Sequence, residues 1–380
     1  MIKNRTSENP VSASASDTGK PFVIAAFIGC QTLGNFIMNQ IVAASIARAI
    51  PGSRLALVFR DDRPYKSFVT LCNPFVTRAV PIEGDPQNVF PLDWFDGREN
   101  VSGRPFDAAW HKDGYHNPDL VLTASMLDIW GCQWPAPGFR VPDGLASPLS
   151  RILEARGVAK DGWFACLHMR EAGYRWRPTS DPIRNVDPHD YLPMIRHIID
   201  DLGGQVVRLG HPEMTTLPEM DGLIDFSRNA DSFPEQAFAT SRARFFIGTD
   251  TGPTQLAAAF RTPAASTNAL GIGLWNDSDV VMFKEITDET GAPISLEDLI
   301  ETASTLGNYR PYGINYHANS PQKLVRLADH MAAATSDCAG WREATAQPPY
   351  APPGRVELPL EWSMIHDRVK VDFFSVPGFF

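Results

Sequence analysis

The chain has 380 residues, 43% of them apolar, and a formal net charge of −10. That length accommodates two domains of ordinary size. An acidic balance without a long basic run argues against nucleic acid as the main partner, while leaving room for a local basic pocket that holds one diphosphate.

Residues 1–20 are rich in Ser, Thr, Asp and Asn and lack an apolar centre, so they read as a disordered lead rather than a signal peptide. Phe22 to Ile28 is a near-continuous apolar run, the pattern of a strand buried on both faces. A loop from Gly29 to Asn35 follows, then a helix over Phe36 to Ile50, a stop at Pro51-Gly52, and a strand at Leu55 to Phe59. This β-α-β order predicts a parallel sheet. Asp85 to Pro118 reads as loops and Val121 to Trp130 as a helix. Pro135 to Pro148, with four prolines and two glycines, reads as an interdomain linker.

The alternation then resumes. Ser150 to Arg156 is helical, and Trp163 to Met169 is a buried strand. A helix from Pro188 to about Leu202 ends at Gly203-Gly204. Gln205 to Leu209 is a strand, Glu235 to Arg242 a short helix and Arg244 to Ile247 a strand. The expected fold is α/β, with two Rossmann-like doubly wound domains facing a cleft. Their expected spans are 21–145 and 146–335, with a tail at 336–380 packing back on the fold. Ligands in such sheets sit beyond the carboxyl ends of the strands.

Phe245 to Ala259 is the most informative stretch: a short apolar strand, a small-residue turn, then a helix beginning at Pro253. The turn sets Thr249, Asp250, Thr251 and Gly252 at the positive end of that helix, where unpaired amides and the dipole favour phosphate. Pro253 suits the first helical position because its missing N–H has no partner there anyway. An ordinary capped turn is the plain alternative.

Other strand-end loops add candidates. His168 and Arg170 lie two apart, so an extended chain points them the same way. Arg170 either grips a diphosphate or pairs with an acidic side chain, and His168 either bonds a phosphate or sugar hydroxyl or packs inside. Arg208, Gly210 and His211 form a turn that meets a nucleotide or is a turn only. Arg184-Asn185 belongs to a polar loop long enough to close over a ligand. Lys284, beyond the polar loop Trp275 to Asp279, answers phosphate charge or is a surface lysine. Gly29 and Gly34 have phosphate-loop spacing, but Asn35-Phe36 replaces the Lys-Ser/Thr pair, so the loop is read as an acceptor or sugar contact. His111, Asp113 and His116 are candidate general bases. The five cysteines are widely spaced without a C-x-x-C pair, which points away from zinc and disulfides and toward the cytoplasm.

Together these segments resemble glycosyltransferases of the two-Rossmann-domain, GT-B type. Thr249 to Ala259 is similar to the donor segment of bacterial lipopolysaccharide heptosyltransferases, departing from it at Pro253, Thr254 and Gln255. His168-Met169-Arg170 resembles the H-x-R segment of protein O-fucosyltransferases, without that motif's second arginine and Gly-Asp. A group of bacterial glycosyltransferases carries all four of the segments Cys166 to Tyr174, Arg184-Asn185, Arg208 to Met214 and Phe245 to Gly252, in that order.

The resemblance implies sugar transfer from a nucleotide-diphosphate donor to a glycan, lipid-linked or protein acceptor. It implies no cofactor and no required metal, and a location in the cytoplasm or at the inner membrane face. The rival readings are a nucleotide-sugar epimerase and a non-catalytic sugar-nucleotide binder.

Overall fold

The computed structural model describes residues 21–29, 32–82, 118–123, 127, 137–171, 182–229, 232–269, 280–295 and 313–336. The lead, the tail, the loop candidates His111, Asp113 and His116, and the Trp275 to Asp279 loop lie outside the described residues. Two wholly parallel sheets organise what is described.

The first sheet has the order β3-β2-β1-β4, with β1 at Val23–Ile28, β2 at Arg54–Arg60, β3 at Val76–Ile82 and β4 at Leu120–Leu122. Every residue of β1 is buried, as its unbroken apolar sequence demands. Helix α1, Leu33–Ala49, joins β1 to β2, and α2, Pro64–Cys72, starts with proline at its first position and leads to β3. The helix expected over Val121 to Trp130 is corrected at its start, because Val121 and Leu122 pair with β1. A three-residue strand is too short to show any alternation, which hid it in the sequence.

The second sheet has the order β10-β9-β8-β5-β6-β7. Its strands are β5 (Phe164–His168), β6 (Gln205–Arg208), β7 (Leu223–Asp225), β8 (Phe245–Thr249), β9 (Ala264–Ala269) and β10 (Val280–Phe283). The helices are α3 (Asp143–Ala155), α4 (Leu192–Arg196), α5 (Phe233–Arg242), α6 (Gly252–Phe260) and α7 (Pro321–Ala334). Helix α3 takes in the end of the proline-rich stretch, with Pro148 inside it. The helix expected from Pro188 is three pieces: a 3-10 turn at Pro188–Tyr191, α4, and a π turn at His197–Asp201. A small antiparallel pair, β11 (Glu285–Asp288) and β12 (Ile314–His317), follows β10.

One apolar core runs through both sheets. It includes Ile24, Phe36, Leu55 and Phe59 from the first unit and Phe164, Val207, Phe246 and Leu256 from the second. Helix α1 packs on α6, and α2 and α3 pack on α5. Rings of Phe36, Tyr65, Phe68 and Phe233 meet edge-on or tilted at this join, with centroids 5.8–6.3 Å apart. The stretch between the units is itself tied to both: Phe139 donates its N–H to the Ala259 carbonyl and Arg140 to that of Cys72. A second cluster fills the other face of the second sheet beneath α4 and α7.

Candidate anion-binding site

In a parallel sheet every helix that follows a strand starts at the carboxyl edge. Here the starts of α1 and α6 touch. A Cβ added to Gly34 would lie 3.4 Å from the Gly252 Cα, and one added to Gly252 would lie 2.9 Å from the Leu33 Cβ and 3.1 Å from the Gly34 N. Glycine at 252 is therefore required by packing across the two units, in addition to any ligand. The positive ends of both helices converge at this point. Gly29 is half-buried at the end of β1, and Asn35 is exposed in the first turn of α1.

The turn between β8 and α6 is held from within. Thr249 is buried, and its carbonyl accepts the Thr254 hydroxyl at 2.6 Å and the Thr251 hydroxyl at 3.2 Å. The Thr249 hydroxyl accepts the Arg170 N–H at 3.0 Å, locking the end of β5 to the turn. Thr251 occupies the cap position without a side-chain cap bond; its carbonyl accepts the Thr254 N–H at 3.1 Å and the Gln255 N–H at 3.4 Å. Pro253 stands in the first turn as its lack of an N–H suits. Gly248 has no room for a side chain, since a Cβ would meet the Phe246 ring at 2.7 Å.

His168 stands beside this turn, with Nδ1 3.0 Å from the Thr251 hydroxyl. Burial, then the neighbouring His211, Arg208 and Arg170, push the imidazole down to about 3, so it is neutral at physiological pH. One ring nitrogen then donates and the other accepts.

A strap crosses the carboxyl edge of the second sheet at residues 184–186. The Arg184 guanidinium donates to the Asp250 carbonyl at 2.7 Å, with the Asp250 carboxylate 3.5 Å away. The Val186 N–H donates to the Arg170 carbonyl at 3.0 Å, and Lys284 Nζ lies 3.4 Å from the Asn185 carbonyl. The Arg184-Asn185 segment thus lies against the turn between β8 and α6.

Two expected contacts take other roles. Arg208 is fully buried; its guanidinium donates to Glu171 at 2.8 Å, to Asp225 at 3.1 Å and to the Thr215 carbonyl at 2.7 Å. It holds the loops behind His168 together and does not reach outward to a ligand. Gly210 has φ +155, and its N–H and carbonyl are both taken by Gln236 at 2.9 Å, which leaves no backbone donor there for a nucleotide. Gln236 and Glu171 carried no motif, which is why sequence reasoning missed them. Lys284 is corrected from a surface position: it is only 6% exposed. Gln255, 5% exposed at the contact with α1, keeps its side-chain carbonyl oxygen without a hydrogen-bond partner. Among the described residues no group of three or more His, Cys, Asp or Glu is placed to hold a metal ion, and no helix is long and apolar enough to cross a membrane.

These elements define an α/β protein of two parallel-sheet units, with the start of α6 where the units join. No protein-family model and no curated protein matches the chain. Among solved structures it is similar to a family 9 glycosyl transferase from Veillonella parvula, at 14% identity and a TM-score of 0.49, over 82% of this chain and 97% of that one. It is similar to the ADP-heptose lps heptosyltransferase II of E. coli at 12% identity and a TM-score of 0.48, over 82% and 98%. A UDP-GlcNAc 2-epimerase from Methanocaldococcus jannaschii gives 10% identity and a TM-score of 0.36, over 81% and 100%. Likeness at this level carries over neither residues nor activity.

Proposed function

We propose that the protein is a glycosyltransferase that moves a sugar from a nucleoside-diphosphate donor to a hydroxyl of a glycan, lipid-linked or protein acceptor. The observation that carries this reading is the convergence, at one carboxyl edge, of the start of α6 with the Arg184 guanidinium, the neutral His168 and the end of β5 at Arg170, whose N–H is tied to Thr249. Thr249, Asp250, Thr251, Gly252 and Pro253 form the cradle, and Gly29, Gly34 and Asn35 flank it from the first unit.

In the reaction an acceptor oxygen bonds to the anomeric carbon while the bond from that carbon to the β-phosphate oxygen breaks. The electron pair leaves with the nucleoside diphosphate, and the acceptor proton passes to a base of the first unit, for which His111, Asp113 and His116 are the sequence candidates. Charge developing on the leaving oxygen is met by fixed amides and guanidinium groups, usually the largest catalytic term. Transfer on this reading is independent of metal. Neutral His168 serves as a hydrogen-bonding partner for a phosphate or hydroxyl. The buried, free Cys72 and Cys166 fit a reducing cytoplasm, with contact at the membrane face when the acceptor is lipid-linked.

The test is a panel of nucleotide sugars with and without candidate acceptors, read for free nucleoside diphosphate and glycosylated product. Arg170→Ala should lower turnover by about 100-fold or more, with its melting temperature close to wild type. EDTA treatment should leave turnover in place. Release of an altered sugar without any acceptor would overturn the reading in favour of epimerisation. Binding without turnover of any donor would overturn it in favour of a non-catalytic binder.

A further inference from the structure

Lys284 is the buried charge that the site described above leaves unused. It follows β10, and its N–H donates to the Ala269 carbonyl at the end of β9. From that edge position the side chain runs inward to the strap, where Nζ lies 3.4 Å from the Asn185 carbonyl. At that length the hydrogen bond is weak, and an ammonium has three donors to place. No carboxylate among the described residues pairs with it. Its neighbour Glu285 is spent on Lys323 at 2.7 Å. Asp187, two residues along from Asn185, accepts from the His189 N–H at 2.9 Å and lies 2.8 Å from its ring. Asp250 faces Arg184. Burial alone lowers the affinity of this amine for its proton. An enclosed lysine with one long bond carries a desolvation penalty that nothing among the described residues repays.

The strap shows where that charge is aimed. Asn185, which Lys284 touches, is the chain neighbour of Arg184, which holds the Asp250 carbonyl at the start of α6. Consecutive Cα atoms are about 3.8 Å apart, so the ammonium stands beside the backbone from which the Arg184 side chain extends to the start of α6.

We infer that Lys284 is a buried counter-charge for the diphosphate group of a nucleoside-diphosphate ligand, acting beside Arg184 and the α6 amides. This rests on the donor-site reading above. Bound phosphate oxygens supply the acceptors the ammonium lacks and favour its charged form. With the site empty, the Asn185 carbonyl is its resting partner.

Lys284→Met keeps the length of the side chain and removes its charge. Isothermal titration with ADP, GDP and UDP, and with the matching nucleosides, separates charge from scaffold. The expected result is diphosphate binding weakened at least tenfold, nucleoside binding unchanged, and a melting temperature equal to or above wild type. Equal binding of diphosphate by Lys284→Met and wild type would overturn the inference and leave the donor-site reading standing. An equal loss for diphosphate and nucleoside would also overturn it, marking the lysine as an anchor of the strap. Failure of wild type to bind any of the three diphosphates would overturn both. Should Lys284→Met not fold, Lys284→Arg is read the same way: the preference for diphosphate over nucleoside survives if charge is what matters, and its loss would overturn the inference.

Discussion

Gly252 and His168 show how a single residue is constrained from two sides. Alanine at 252 would drive its Cβ into Leu33 and the backbone of Gly34, atoms that belong to the other unit. Gly252→Ala is expected to destabilise the fold by about 1–3 kcal/mol, the usual range for overpacking, measured by urea unfolding. His168 acts through protonation. Its folded-state value of about 3 lies below the ordinary 6.5, so between those values the unfolded chain binds a proton that the folded chain refuses. Stability therefore falls as pH drops through that window. Replacing His168 by Gln should reduce the loss of melting temperature between about pH 7 and about pH 4.

Helix and strand positions respond to pH in the opposite sense at the far end of the second sheet. His197, in the π turn, sits 2.7 Å from Asp201 and 2.6 Å from Asp329 of α7. Partial burial pulls its value down, but hydrogen bonds to Asp329 and Asp201 and their charges outweigh that and hold it above the ordinary range. The stabilisation from this pairing is complete below about 6.5 and is lost as pH rises through the raised value. Asp329→Asn should flatten the fall in stability on the alkaline side, seen in thermal melts at several pH values.

Sequence reading found β1, β2, β5 and β8 from their apolar runs and α1 from its length and largely apolar composition, and it placed β6 and α5 in the alternation of strand and helix. The turn at Thr249 to Pro253 was equally legible, because strand, small residues and proline occur there in the order a helix start requires. The sequence reading placed neither α2, β3, β9, β10 and α7 nor the shortest strands. Strands β4 and β7 have three residues each, too few for any period to register. Arg208 and Lys284 look like surface charges by type, and only the carboxylates brought by Glu171 and Asp225, or the enclosure by the strap, reveal otherwise. Such pairings join residues up to 99 apart in the chain and leave no local pattern.

At the level of the whole molecule the decisive fact is the shared core. Helices α1 and α2 face α5 and α6 between the two sheets, and Phe36 lies at the centre with Phe59 and Tyr65 around it. Phe36→Ala should cost about 3–5 kcal/mol. Fluorescence and far-UV circular dichroism should still follow one common unfolding curve, because the largest apolar cluster is shared by both units.

The apolar join also decides what can be made separately. A fragment carrying only the second sheet would present to water Phe233, which Tyr65 and Phe68 cover in the whole chain, and the face of α6 that packs on α1. Expressed from residue 146 onward, it should collect in the insoluble fraction, and supplying the missing half during synthesis should bring it back into solution.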